Sequence, residues 1–202
     1  MIITRQGDLE IKLQAGDTIA GINPPSKDSK LKGGKFGANI ALVSLNHKDF
    51  NGVDMLAFGD KKPFVISGPG EYEVKGVFIK AFGSRSDYES KHEKINTIYV
   101  LAMDGMKVVH LGALSEEKLS EEALEAVDDI DILIIQLGEN LLTPAQAAKL
   151  AVFLEAKLII PIGSAEDQKK FAKEVGAKPE ETDKLTLKRK DLEGKSNAVA
   201  FI

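Results

Sequence analysis

Apolar and polar residues alternate in short runs through the first half of the chain, and longer apolar runs alternate with amphipathic stretches in the second half. Residues Ile2 to Arg5, Leu9 to Leu13 and Ile19 to Ile22 read as strands, separated by Gly7-Asp8 and Ala15-Gly16-Asp17, which favour turns. A polar, Gly- and Pro-rich loop spans residues 24–39 and precedes the apolar run Ile40-Ala41-Leu42-Val43. Its place after one strand and before another predicts a rim loop. The runs FVIS, YEV and GVFIKAF predict three more strands between Phe64 and Phe82. Thr97 to His110 predicts a hairpin, because Asp104-Gly105 can supply the two positive φ angles of a type I′ turn.

The period changes after His110. Ser115 is placed to cap a helix whose first turn holds Glu116 and Glu117. Ile132 to Ile135 is a continuous apolar run of the kind buried on both faces of a sheet. Thr143-Pro144-Ala145-Gln146 combines a cap, a proline at the first helical position and a glutamine at the third. Ala147, Leu150, Ala151 and Leu154 then repeat at helical spacing. A second buried strand, LIIPI, precedes a short helix around Asp167 to Val175 that Gly176 should end. Strand-rich meanders followed by strand–helix units predict an α+β or α/β sandwich in one domain, residues 1–202.

Composition narrows the function classes. The chain is 43% hydrophobic and 29% charged, with a net charge of −4 and a pI near 5.5. That balance gives no global reason to expect nucleic acid or any other polyanion as a partner. The absence of cysteine excludes disulfides, thiolate catalysis and Cys-ligated zinc. No apolar run approaches the roughly 20 residues that span a bilayer, so a cytoplasmic location without membrane partners is the expectation.

Three histidines carry most of the candidate chemistry. His92 lies in the charged connection SDYESKHEKIN and reads as a solvated loop residue. His110 ends a strand, where hydrogen bonding to backbone is the commoner role. His47 and Asp49, in VSLNHKDFNG, directly follow the strand IALV, where α/β folds place their sites. One imidazole and one carboxylate do not make a catalytic zinc site, which needs about three protein ligands and a water. Nucleophile-elbow and phosphate-loop motifs are absent. Ser67-Gly68-Pro69-Gly70-Glu71-Tyr72 fits a tight turn between strands, and the carboxylates of EEKLSEEALEAVDD fit a solvated helix face.

Three segments in order, SGPGEYEVKGVFIKAF, INTIYVLAMDGMKVVHLG and DILIIQLGENLLTPAQAAKLAVFLEAKLIIPIG, resemble the small metal-dependent hydrolase-like branch of the metallo-β-lactamase superfamily, as does the tail VGAKPEETDKLTLKRKDLEG. The resemblance covers nearly the whole chain. It implies a four-layer αββα sandwich with the metal site at one edge of the two sheets. Its ligand pattern, His-x-His-x-Asp-His after the IALV strand, is met here by Leu45, His47, Asp49 and Phe50. The next ligand histidine aligns with Ser86, before Asp87, give or take a residue or two. The metal-bridging aspartate aligns with Ala113 and the last histidine with Gly163. The family's early Gly-His-Ser appears as Gly7-Asp8-Leu9, and its Asp-Pro as Asn23-Pro24. His110 matches a residue that precedes the bridging aspartate rather than a ligand.

Five of seven ligand positions are thus replaced. Leucine and phenylalanine cannot bind a divalent cation, and each adds about 1.5–3 kcal/mol when buried. The leading expectation is a non-catalytic protein that binds no zinc there and acts by binding or scaffolding, as a homo-oligomer or beside an active relative. The alternative is a hydrolase of phosphodiesters, esters or lactones with a rebuilt site. In it His47 would be the general base, Asp49 its orienter or a weak ligand for zinc or another divalent metal, and His110 a second polar group at the same rim. A third expectation is an interaction module working through residues 24–39 and 83–95.

Overall fold

The computed structural model describes residues 1–89 and 93–202; His92 lies outside the described residues. Among the described residues, fourteen strands are distributed over two sheets. The N-terminal half supplies β1 (Ile2–Arg5), β2 (Ile11–Ala15), β3 (Thr18–Ile22), β4 (Ile40–Leu42) and β5 (Phe64–Ile66). It continues with β6 (Gly70–Val74), β7 (Val77–Ser86), β8 (Lys94–Met103) and β9 (Met106–His110). The remainder adds β10 (Ile132–Gln136), β11 (Leu158–Ile162), β12 (Glu180–Glu181), β13 (Leu185–Thr186) and β14 (Ala198–Phe201).

One sheet runs β13-β1-β2-β3-β4-β5, and the other runs β12-β14-β11-β10-β9-β8-β7-β6. Their facing sides enclose a core that includes Ile11, Leu13, Ile40, Leu42, Tyr99, Val108, Ile134 and Ile160. Alternation along each strand produces this: Val108 faces the partner sheet, while Val109 joins the apolar layer under the helices. The parallel strands β10 and β11 are buried along their whole length, because the sheet is covered on both sides.

Helices α1 (Glu121–Ala126), α2 (Pro144–Phe153) and α3 (Ala165–Val175) pack on the outer side of the eight-stranded sheet. The outer side of the six-stranded sheet carries a thinner layer. There the loop of residues 24–39 and a 3₁₀ turn at Val53–Leu56 lie across β2 and β3. Lys12 Nζ sits 5.3 Å over the Phe36 ring, and Gly21 leaves room for Leu56, whose Cδ1 would lie 2.6 Å from any Cβ at that position. The loop is therefore part of the layering as well as of the rim.

Most of the local expectations hold in detail. Asp104 (φ 55°) and Gly105 (φ 70°) form the hairpin turn between β8 and β9. Thr143 and Gln146 form the reciprocal capping box of α2, and Gly176 ends α3 in the left-handed conformation. Ala147, Leu150, Ala151 and Leu154 are all buried. The second strand begins two residues later than its pattern predicts, and α3 starts earlier, capped by Ser164.

The helix expected after Ser115 is a correction. Helix α1 begins at Glu121, capped by Ser120, whose side chain accepts from the Ala123 N–H. Ser115 is committed elsewhere: its hydroxyl accepts from the Asp87 N–H and donates to the Asn140 carbonyl. Two adjacent Ser-acidic pairs compete as caps, and the later one wins because it also buries Ala123 and Val127.

Candidate metal centre

Strand β4 delivers the chain to the sheet edge, and the tight turn that follows aims its side chains. The Ser44 N–H donates to Asn23 Oδ1, and Leu45 makes an isolated bridge to Asn96 on β8. The His47 N–H then returns to the Leu45 carbonyl, and the Phe50 and Asn51 N–H groups return to the His47 carbonyl. This turn places His47 and Asp49 side by side at the edge and directs Phe50 inward.

Asp49 is buried, and hydroxyls meet both of its oxygens. Ser29 donates to Oδ1, and Tyr88 donates to Oδ2 at 2.8 Å. Burial and the bond to Asp49 push the Tyr88 phenol well above its ordinary pKa, so it remains a neutral donor. Its ring packs edge-on to His47 (centroids 5.3 Å apart) and to Phe50 (4.9 Å). His47 Nδ1 accepts from the Asp49 N–H at 3.3 Å, and its Nε2 lies 3.4 Å from Glu89 Oε2. The 3.5 Å separation of Nδ1 from Asp49 Oδ2 is too long for a hydrogen bond.

The other positions that the resemblance sets against ligands are core or scaffold in this structure. Leu45, Phe50 and Ala113 form one apolar cluster with Leu141. Ala113 is held by its N–H to Asn96 Oδ1, and Asn96 Nδ2 also ties down the Leu111 carbonyl. Ser86 is buried at the end of β7, where its hydroxyl accepts from the Tyr88 N–H. Gly163 gives its carbonyl to Arg5, and a Cβ there would stand 2.9 Å from Leu137 Cβ, so no side chain enters without moving Leu137. Asn23 closes the β3–β4 connection at φ 54°. Asp8 pins the long loop through the Lys32 N–H.

His110 does not reach the rim, which corrects its place in the rebuilt-site alternative. It is fully buried beside Tyr99 in the β8–β9 register, and its Nδ1 accepts from the Gly112 N–H at 2.9 Å. Desolvation pulls its pKa down to about 3, so it stays neutral.

Sequence reasoning found His47 and Asp49 but missed Ser29, Tyr88 and Glu89. Tyr88 was the findable one, lying two residues beyond the histidine position aligned to Ser86. Nothing in the loop pattern singles out Ser29. Among the described residues, His47, Asp49 and Glu89 can bring one donor atom each within 4.8 Å of one another. That set suits at most one cation. Among the described residues no second set of donors stands beside it, as Leu45, Phe50, Ala113 and Gly163 offer no donor side chains. Beside the turn lies a cleft of about 420 Å³, lined by Arg5, Asp8, Tyr88, Glu89, Glu139 and Ser164 among others.

Comparison with known proteins identifies the fold and the family. The family model of the beta-lactamase superfamily domain matches residues 10–163. A UPF0173 metal-dependent hydrolase of Thermococcus onnurineus is 32% identical over 122 residues, which are 56% of this chain and 54% of that protein. The chain thus spans about half the length of the curated relative it matches. A proposed Zn-dependent hydrolase of the metallo-beta-lactamase superfamily from Thermotoga maritima superposes with a TM-score of 0.74 at 24% identity, over 99% of this chain and 97% of that one. A proposed metal-dependent hydrolase from Parabacteroides distasonis gives 0.67 at 16% identity, over 98% and 91%. With its two-sheet sandwich, its edge site and the family match over most of its length, this chain belongs to the metallo-β-lactamase superfamily.

Proposed function

We propose that this chain is a non-catalytic member of its superfamily that acts by binding or scaffolding. The observation that carries the reading is the engagement of Asp49 by the Ser29 and Tyr88 hydroxyls, over the apolar cluster of Leu45, Phe50 and Ala113. Two neutral donors meet the carboxylate where a cation would otherwise neutralise it. Leucine and phenylalanine add apolar contact where ligands would stand. Among the described residues, the metal's Lewis-acid role, polarising a bond and activating water, has no replacement at this edge. A homo-oligomer or a complex with an active relative is the setting in which such a protein works.

The test is metal content. Protein expressed with zinc, manganese and iron supplied, and purified without chelator, should carry far less than one equivalent of any of them. A stoichiometric metal that disappears in His47→Ala would sink the reading.

A second reading rests on a specific observation: His47, Asp49 and Glu89 can converge on one cation. The T. onnurineus relative is named a metal-dependent hydrolase. A one-metal hydrolase of phosphodiesters, esters or lactones would need Tyr88 to swing away from Asp49. Turnover of any of these substrates that is abolished by both His47→Ala and Glu89→Ala would favour it.

A further inference from the structure

The net charge of −4 is unevenly placed. Nine carboxylates and a single lysine fall between Ser115 and Glu139, the stretch that builds α1 on the outer side of the eight-stranded sheet. At the free edge of the other sheet the balance reverses. Phe58, Lys61, Lys62, Phe64 and Val65 all project into solvent there, with Phe58 72%, Phe64 51% and Val65 44% exposed.

This edge is an ordered surface. Phe58 and Lys61 exchange backbone hydrogen bonds at 3.0 and 3.1 Å around Gly59, and the Phe64 N–H donates to the Asn39 carbonyl. The Phe36 N–H donates to the Met55 carbonyl, and a Cβ on Gly37 would lie 2.9 Å from Phe58 Cβ. These bonds set the Phe36–Gly37 segment beside Phe58, with the half-buried Lys12 over the Phe36 ring and the exposed Lys35 next to it in the chain. Asp54 and Asp60 are the carboxylates of the two segments, which leaves the patch net positive.

Exposed aromatic rings alternating with lysines are unfavourable against plain water and suited to an interface that is apolar inside and anionic outside. We propose that the Phe58–Val65 edge docks on an anionic lipid surface, with Phe58 and Phe64 entering the headgroup boundary and Lys35, Lys61 and Lys62 facing lipid phosphates and carboxylates. The acidic α1 layer, beyond both sheets, orients the molecule by repulsion from the same surface. Whole-chain charge argued against polyanionic partners because it averages these two faces. A nucleic acid is the poorer fit: the lysines flank a projecting tip and do not track a groove, and Val65 offers no stacking face.

The experiment uses the full chain with phosphatidylcholine vesicles, with and without phosphatidylserine. Because the chain has no tryptophan, Phe58→Trp gives a single fluorescent reporter. Expected are co-sedimentation with the serine-containing vesicles only, its loss at high salt, and a blue shift of the indole emission on binding. Lys61→Ala and Lys62→Ala should each weaken binding about fivefold, and Phe58→Ser should abolish it with an unchanged circular dichroism spectrum. Equal binding to neutral vesicles, or no blue shift, overturns the proposal. So does retention by single-stranded RNA in place of vesicles, or a concentration-dependent dimer that Phe58→Ser dissolves.

Discussion

The Tyr88 hydroxyl stands 2.8 Å from Asp49 Oδ2 while its ring packs against His47, so one side chain engages both members of the His47–Asp49 pair. Tyr88→Phe keeps the ring and removes the donor. It leaves one oxygen of a buried carboxylate unpaired, at a cost of about 1–3 kcal/mol. Because the same oxygen is then open to a cation, zinc should restore stability to this variant and not to the parent chain. Thermal melts with and without zinc check this. Equal responses from the two proteins would mean that Tyr88 does not block the site.

Phe50, which the family resemblance sets against a ligand, is fully buried with Leu45, Ala113 and Leu141. Replacement by alanine should behave as a core truncation and cost about 3–5 kcal/mol in urea unfolding. Ala113→Asp, which installs the aspartate that the resemblance expects there, should be worse than neutral, since it puts a carboxylate into that apolar cluster. Zinc should not rescue it, as neither Leu45 nor Phe50 can complete a coordination sphere. Tight zinc binding by Ala113→Asp alone would show that the cluster opens more easily than its packing suggests.

The sandwich was legible because it depends on many weakly informative positions acting together. Period-2 alternation, the Asp104-Gly105 turn and the Thr143–Gln146 capping box each act over a few residues, so a single sequence displays them. The residue types at Leu45, Phe50, Ala113 and Gly163 were legible directly, as positions that the family resemblance sets against ligands. Their surroundings were not. Ser29 and Tyr88 meet Asp49 across 20 and 39 residues of chain, and no local pattern encodes such a meeting. The exposed Phe58 edge was hidden too, because whole-chain charge sums over faces that never adjoin. Ser115 failed as a cap because local rules allowed two starts and tertiary contacts chose between them.

Glu10 is buried under the long loop, with Oε2 accepting from the Gly34 N–H and Oε1 unpaired among the described residues. Burial raises its pKa to about 7, with the Gly34 bond opposing the shift. A carboxyl whose folded pKa lies above its unfolded value stabilises the protein below that unfolded value. The contribution is lost as pH rises from about 4.5 to about 7. Glu10→Gln keeps the acceptor and removes the charge. It should raise stability at pH 8 by about 1–2 kcal/mol, allowing for screening at the loop margin, and by little at pH 5. Urea unfolding at the two pH values distinguishes them; an equal gain at both would refer the effect to packing.

His110 imposes the opposite slope. Its folded pKa of about 3 lies below the ordinary 6.5, because desolvation disfavours the imidazolium. The unfolded chain therefore binds the extra proton first, and stability falls as pH drops from about 6.5 towards 3, by at most about 1.4 kcal/mol per pH unit. Between roughly pH 4.5 and 6.5 this slope and that of Glu10 act in opposite directions, so the parent chain should change little there. His110→Asn places a side-chain oxygen near the Nδ1 position, where it can accept from the Gly112 N–H, and it cannot titrate. The variant should therefore grow more stable as pH falls from 6.5 to 4.5, exposing the Glu10 slope alone. In Glu10→Gln over the same window stability should fall, exposing the His110 slope. The double variant should be flat. Melting temperatures of the four proteins across that window decide the matter, and a steep slope surviving in the double variant would assign the pH response to other groups.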